Sequence, residues 1–226
     1  MIKTFERDFK KDFRKGEEYM KVWTIIPYDE YVEFEKQGYL VCDDKHEKVM
    51  ANEYYLYQKC YDWMSSCLRE KVDSDLKYPR WVWLYTNDRN PYMNKLDICQ
   101  TVGKFYILVF DINLDEVLFS DFDLWHCCLN GGLVTEERED EVERLAEQLD
   151  IDIRDIFDPK YDRNIEVERI RNIYYEDWKK IFNVNEENDV QGVIWRLNKK
   201  DLIDVRWFEI REEEVEAYER ELDEED

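Results

Sequence analysis

Glycine and proline are scarce, with 6 and 4 copies in 226 residues. So few breakers leave no material for long flexible linkers, a collagen-like repeat or a low-complexity array. The chain has no apolar run long enough to span a bilayer, for which about 18 or more residues are needed. Its first segment, MIKTFERDFKKDFRKGEEY, is charged every two or three positions and lacks the apolar stretch of a secretory leader. Histidine occurs twice, at His46 and His126, so imidazole chemistry has few places to reside. Neither GxGxxG nor GxxxxGK[ST] is present, and the adjacent pair Gly131-Gly132 follows a predicted helix instead of opening one. A GxSxG elbow, an HExxH pair and a Cys-x-x-Cys pair are missing too. Phosphate-loop hydrolases, α/β-hydrolases and zincins are demoted together.

Positive charge is also in short supply. Lys and Arg number 33 against 56 Asp and Glu, a net charge of −23, which excludes a general phosphate-tracking nucleic-acid binder because counterion release needs a basic stripe. The excess is concentrated. Residues 136–158 carry 11 acidic and 3 basic side chains, and residues 209–226 carry 11 and 2. The remaining chain is close to balanced. A hydrophobic fraction of 44% with 15% aromatics argues for a folded core over disorder despite 39% charged residues. Six cysteines in a long chain with ample core and no leader read as reduced thiols in the cytoplasm.

Periodicity places the elements. In residues 1–19, Phe5, Phe9 and Phe13 recur every fourth position, an amphipathic helix ended by Gly16. Residues 20–26 form a strand closed by Pro27, residues 28–37 a helix stopped by Gly38, and residues 39–42 a short strand. Residues 50–72 make the central helix, with two adjacent apolar stripes and therefore a broad buried face. Residues 81–85 and 104–111 are core strands separated by a polar loop holding Asn90-Pro91. Residues 114–119 suit a further strand, and residues 120–129 a helix stopped by Asn130-Gly131-Gly132. Thr135 caps a helix through about Leu149 whose core side is Val142, Leu145 and Leu149. Residues 165–182 are helical, residues 190–197 and 205–210 are strands, and an acidic helix ends the chain. Strands and helices mix without regular βα alternation, so the expected class is α+β. The expected organisation is one domain over 20–210 with a mixed, mostly antiparallel sheet, a helix at 1–19 and an acidic helix or tail at 211–226.

Four groups of residues could carry function. In Ser120-Asp121-Phe122-Asp123-Leu124-Trp125-His126, the serine with an acid three positions on resembles a capping box; alternatively Asp121 orients His126 for acid–base work. Adjacent His126, Cys127 and Cys128, with Cys42-x3-His46 elsewhere, do not have zinc spacing, and no metal site is assigned. Trp23, Trp63, Trp81, Trp83, Trp125 and Trp195 sit on core elements, where they either fill the core or surround a ligand slot. The acid rows Glu139, Glu143, Glu147 and Glu136, Asp140 stand at helical spacing. They are a solvated face, or else a counter-surface for a basic partner.

In order along the chain, Lys21-Val22-Trp23-Thr24-Ile25, Tyr61-Asp62-Trp63-Met64, Tyr78-Pro79-Arg80-Trp81-Val82-Trp83, Ser120-Asp121-Phe122-Asp123-Leu124-Trp125-His126, Trp178-Lys179-Lys180-Ile181-Phe182 and Val190-Gln191-Gly192-Val193-Ile194-Trp195 resemble a family of bacterial proteins known as a domain of unknown function. That resemblance implies no catalytic residues. A weaker one is to ADP-ribosyltransferase-like domains, which open with a strand and a helix ending at Gly, as residues 21–38 do, and close with a strand carrying Gln or Glu, the position of Gln191. The chain departs from them in having Trp23-Thr24 where His or Arg is usual, and no Glu within residues 190–197. Fold-level analogy of this kind does not transfer activity.

The leading expectation is an interaction or inhibitor-type protein without cofactor, binding a basic partner such as a nucleic-acid-handling enzyme by mimicking nucleic-acid charge. Glu136, Glu139, Asp140, Glu143, Glu147, Glu212, Glu213 and Glu214 would form the contact. The alternative is an enzyme or sensor of nicotinamide nucleotides such as NAD, with Trp23, Thr24, Trp83, His126 and Gln191 around the ligand. Its catalytic candidates are His126, Asp121 and Gln191. Neither reading has the chain contact nucleic acid or a membrane directly.

Overall fold

The computed structural model describes residues 19–42, 55–84, 94–184 and 189–225. The predicted helix at the N-terminus, His46 and the Asn90-Pro91 loop lie outside the described residues. Among the described residues eight strands form: β1 (Tyr19–Pro27), β2 (Tyr39–Leu40), β3 (Arg80–Leu84), β4 (Gly103–Asn113), β5 (Val117–Asp121), β6 (Val190–Ile194), β7 (Leu197–Asn198) and β8 (Leu202–Ile210). Six of them make one sheet in the order β5-β6-β3-β1-β4-β8, and β2 and β7 pair separately. Every described pairing is antiparallel. The fold is therefore α+β, with the expected mixed sheet narrowed to an antiparallel one.

Alternation along the strands divides the side chains between two layers. On one face Met20, Val22, Ile26, Val82, Leu84, Leu108, Phe110, Phe119 and Ile194 form a core with Phe34, the buried residue of α1 (Tyr28–Gln37). Gly38 ends α1 at φ +80°, as the sequence implied, and its N–H donates to the Phe34 carbonyl. The opposite face is covered beside β5 and β6 by α2 (Tyr55–Lys71), α4 (Phe122–Leu129), α5 (Glu139–Gln148) and α6 (Ile165–Trp178). The broad face predicted for α2 is real: Cys60, Trp63, Met64, Ser65, Cys67 and Leu68 are all buried. On the same sheet face, Trp23, Ile107 and Val109 form a separate small cluster. A short α3 (Lys95–Ile98) precedes β4, and α7 (Glu212–Glu225) follows β8.

Two expected helix starts move, for one reason each. Residues 120 and 121 belong to β5 because Ser120 and Asp121 pair with Gln191 and Val190. The helix after them therefore starts at Phe122 with Asp121 as its cap, not Ser120. Thr135 does not cap α5: its hydroxyl donates to Asp177 Oδ1 at 2.7 Å, and a 3-10 turn, Glu136–Arg138, intervenes before the helix. The core side of α5 is Val142 and Ala146, with Leu145 and Leu149 half-buried against it.

Candidate functional site

Register across four strands places Trp23 opposite Trp83, Trp83 opposite Gln191, and Gln191 opposite Ser120. Directly opposed residues in antiparallel strands share a face, so these four form one transverse row. The Trp23 and Trp83 rings stack with centroids 6.2 Å apart. Trp23, Gln191 and Ser120 are buried, yet Trp23 Nε1, Gln191 Nε2 and Ser120 Oγ have no hydrogen-bond partner among the described residues. Unpaired buried donors are rare and call for a reason. Three of the five predicted ligand residues are thus brought into one line, with Ser120 added.

The other two are not. Thr24 follows Trp23 by one residue and so belongs to the opposite face, where its hydroxyl donates to the Trp81 carbonyl at 3.1 Å. His126 is exposed on α4; its ring lies edge-on to Phe122 at 4.2 Å, and Phe122 in turn packs on Trp83 at 4.9 Å. The expected orientation of His126 by Asp121 does not occur. Asp121 Oδ1 accepts from the Leu124 N–H at 2.9 Å, while His126 Nδ1 lies 2.9 Å from the Phe122 carbonyl oxygen. An N-cap carboxylate is occupied by the helix it starts.

A second arrangement was not legible in sequence. A cleft of about 340 Å³ opens between the turn after α4, the first turns of α5, the segment 153–157, the start of α2 and the middle of α6. Gly131, at φ +73°, leads the chain out of α4 in the left-handed region. At Gly132 a Cβ would stand 2.8 Å from Cys127 Sγ, so a larger residue would force the Cys127 side chain to move. Both glycines line the cleft, with Leu56, Ile153 and Phe157 supplying apolar wall.

Glu139 and Glu143 reach this cleft one helical turn apart. Between them and the core stands Tyr174, whose ring is buried against Phe157 at 5.3 Å, edge to face. Burial pushes its phenol up to about 12, and the carboxylates of Glu139 and Glu143 push in the same direction. No protein group hydrogen-bonds the Tyr174 hydroxyl among the described residues. Among the described residues Arg154 is the one basic side chain lining the cleft, and it is held in a fork by Asp152, with Nε–Oδ1 3.0 Å and Nη2–Oδ2 2.6 Å. Its charge is thereby matched locally, and the hydrogen bonds from Arg154 draw Asp152 down to about 2. The C-terminal end of α4, which carries partial negative charge, adds to a field that favours a cation.

Two buried ionic nodes fix the walls. Arg171, 1% exposed, donates to the carbonyls of Ile156 (2.7 Å) and Asp158 (2.9 Å) and pairs with Asp162 and Glu168. This ties the 153–162 stretch to α6. Asp177 accepts from the backbone N–H groups of Val134 and Thr135, from the Thr135 hydroxyl and from Lys180, which ties the approach to α5 to the end of α6.

The acidic blocks meet the rest of the molecule differently. Glu136, Glu139, Asp140, Glu143 and Glu147 are exposed and make no ion pair among the described residues. Glu214 is committed inside the molecule: Lys95 donates to both its carboxylate oxygens at 2.7 and 2.8 Å. Glu212 and Glu213 are exposed, with Arg211 3.6 Å from Glu213. None of the six cysteines forms a disulfide, and burial pushes Cys60, Cys67 and Cys128 well above the ordinary thiol range. Among the described residues no three or more His, Cys, Asp or Glu gather to hold a metal ion, and no helix is long and apolar enough to cross a membrane.

Residues 21–203 match the model of a family described as Domain of unknown function (DUF3841). The chain belongs to this family. Its matched region ends within β8, so α7 and its acids lie beyond the shared part, whereas the cleft and the transverse row lie within it. No curated protein and no solved structure matches the chain, and the comparisons show no likeness to ADP-ribosyltransferases.

Proposed function

We propose that this member of the DUF3841 family is an interaction module whose α5 face binds a basic protein partner, in the manner of an inhibitor that substitutes carboxylates for nucleic-acid phosphates. The observation that carries the reading is the row Glu139, Glu143 and Glu147. These acids are exposed, make no ion pair among the described residues and stand on one helix, and two of them also line a cleft. Like charges at i,i+4 cost a helix a few tenths of a kcal/mol per pair, a cost that a role in partner recognition offsets. Clustered charge steers association and makes it salt-dependent. A fluorescent arginine- and lysine-rich peptide should bind at low salt and lose about tenfold or more in affinity between roughly 50 and 300 mM salt. Replacing Glu139, Glu143 and Glu147 together by Gln should reproduce that loss at low salt. Binding insensitive to both changes would overturn the reading.

The transverse row supports a second reading, a site for an acceptor-bearing planar ligand such as a nicotinamide nucleotide. Its three donors without partners among the described residues, one of them the N–H of a stacked indole, would find acceptors in such a ligand. Millimolar nucleotide should then raise the melting temperature, by about 2.7 kcal/mol of added stability at a hundredfold excess over Kd. No shift for wild type, or the same shift for Gln191→Leu, removes this reading.

A further inference from the structure

Resting on the reading that the α5 face binds a basic protein, we infer that the cleft beside α5 is the seat for one arginine side chain of that partner. Glu139 and Glu143 meet the guanidinium, the Tyr174 hydroxyl accepts one of its hydrogens, and Leu56 and Ile153 flank its methylene stem.

The acids alone do not argue this. The second observation is Tyr174, a residue 97% buried whose hydroxyl lacks a protein partner although the residue lines the cleft. The hydroxyl, without a protein partner among the described residues, can accept from an occupant of the cleft that donates. The occupant must be cationic, because two carboxylates and the negative end of α4 converge there while Arg154 is matched by Asp152. A metal ion is the poorer fit. Hard cations take six or more oxygen ligands, and no third His, Cys, Asp or Glu joins the pair among the described residues. An alkyl guanidinium uses everything present: a fork of donors suited to carboxylates, a plane that lies well on aromatic rings, and a weakly hydrated head that tolerates a half-apolar cleft. The volume, about 340 Å³, falls at the lower end of ligand pockets, which run roughly 300–1,000 Å³. It admits one long side chain.

The test titrates N-acetyl-arginine methylamide, and its uncharged citrulline counterpart, into the full chain while amide resonances are followed. The arginine compound should shift the resonances of Gly131, Gly132, Glu139 and Glu143 saturably, and the citrulline compound should not. Tyr174→Phe keeps the buried ring and removes only the hydroxyl; it should weaken binding by about tenfold. Ile153→Trp, at an exposed position on the cleft, should block it without changing charge. Equal shifts from both compounds, or binding unaffected by Tyr174→Phe and Ile153→Trp, overturn the cleft assignment. The basic-peptide titration separates the two failures. If the triple Gln variant weakens the peptide while the cleft variants leave the arginine compound unchanged, the surface reading survives and the cleft does not. If the peptide ignores the triple variant as well, the surface reading falls with it.

Discussion

Gly192 is required by what lies above it. It sits in β6 between Val82 and Phe119 on the α1 face of the sheet, and a Cβ there would stand 2.9 Å from both Phe119 Cδ1 and Val117 Cγ2. Glycine-to-alanine replacement in a strand ordinarily stabilises by reducing the freedom of the unfolded chain, about 0.4–1 kcal/mol. Here the collision decides the sign, since Val117 is β-branched and both neighbours are fully packed. Gly192→Ala should destabilise by about 1–3 kcal/mol, the range for overpacked cores, read from the urea midpoint. An unchanged or raised midpoint would contradict the packing. In sequence this glycine was only one letter of a family motif. Its necessity comes from β5, some seventy positions away, and no local pattern encodes that.

Among the elements, α6 organises the candidate site without presenting any residue that the sequence marked as functional. Ile170, Ile173, Tyr174 and Trp178 recur at helical spacing, which makes them legible as its inward face, and they are buried. Arg171 and Asp177 were not, because a charged residue on a helix reads as solvent-facing until tertiary partners supply its hydrogen bonds. Asp177 makes this testable by pH. Burial alone would raise its carboxyl, but the hydrogen bonds from Lys180, Thr135 and Val134 outweigh it and hold the group below the ordinary aspartate range. A lowered folded value means stability that is fully present above the unfolded value of about 3.9 and is lost as pH falls through the folded one. Asp177→Asn should therefore cost about 1–3 kcal/mol at neutral pH. The gap to wild type should close in strong acid, as measured by thermal unfolding across pH. A gap that is constant from pH 7 to 2 would show that the carboxylate's charge is not what holds Val134 and Thr135.

At the scale of the whole molecule, sheet order separates the two acidic blocks. β8, which leads into α7, is one edge; β5, whose side of the sheet carries α4, α5 and α6, is the other. Five strand spacings of about 4.8 Å put some 24 Å between these edges, well beyond the Debye length of about 8 Å at physiological salt. The two edges of the sheet therefore lie more than one screening length apart. In the peptide titration, neutralising Glu212 and Glu213 should change affinity far less than neutralising the α5 row. The sequence showed that the charge was gathered into two blocks and how the acids were spaced along each. It could not show which acids would be paired, since the Lys95–Glu214 pair joins residues 119 positions apart.

What the sequence determined by itself was local: strand and helix placement, the stops at Gly38 and Gly131, the α+β class and the acid rows. These depend on neighbours within one or two turns or on strict alternation, which a linear pattern records. What tertiary structure decided was every juxtaposition that could bear function. Strand register drew Trp23, Trp83, Gln191 and Ser120 into one row and parted Thr24 and His126 from it. The docking of α6 against the α4 turn and α5 turned three ordinary segments into a cleft. Such meetings are fixed by long-range packing, where the free energy of burial is shared among residues far apart in the chain, and no single segment carries the information alone.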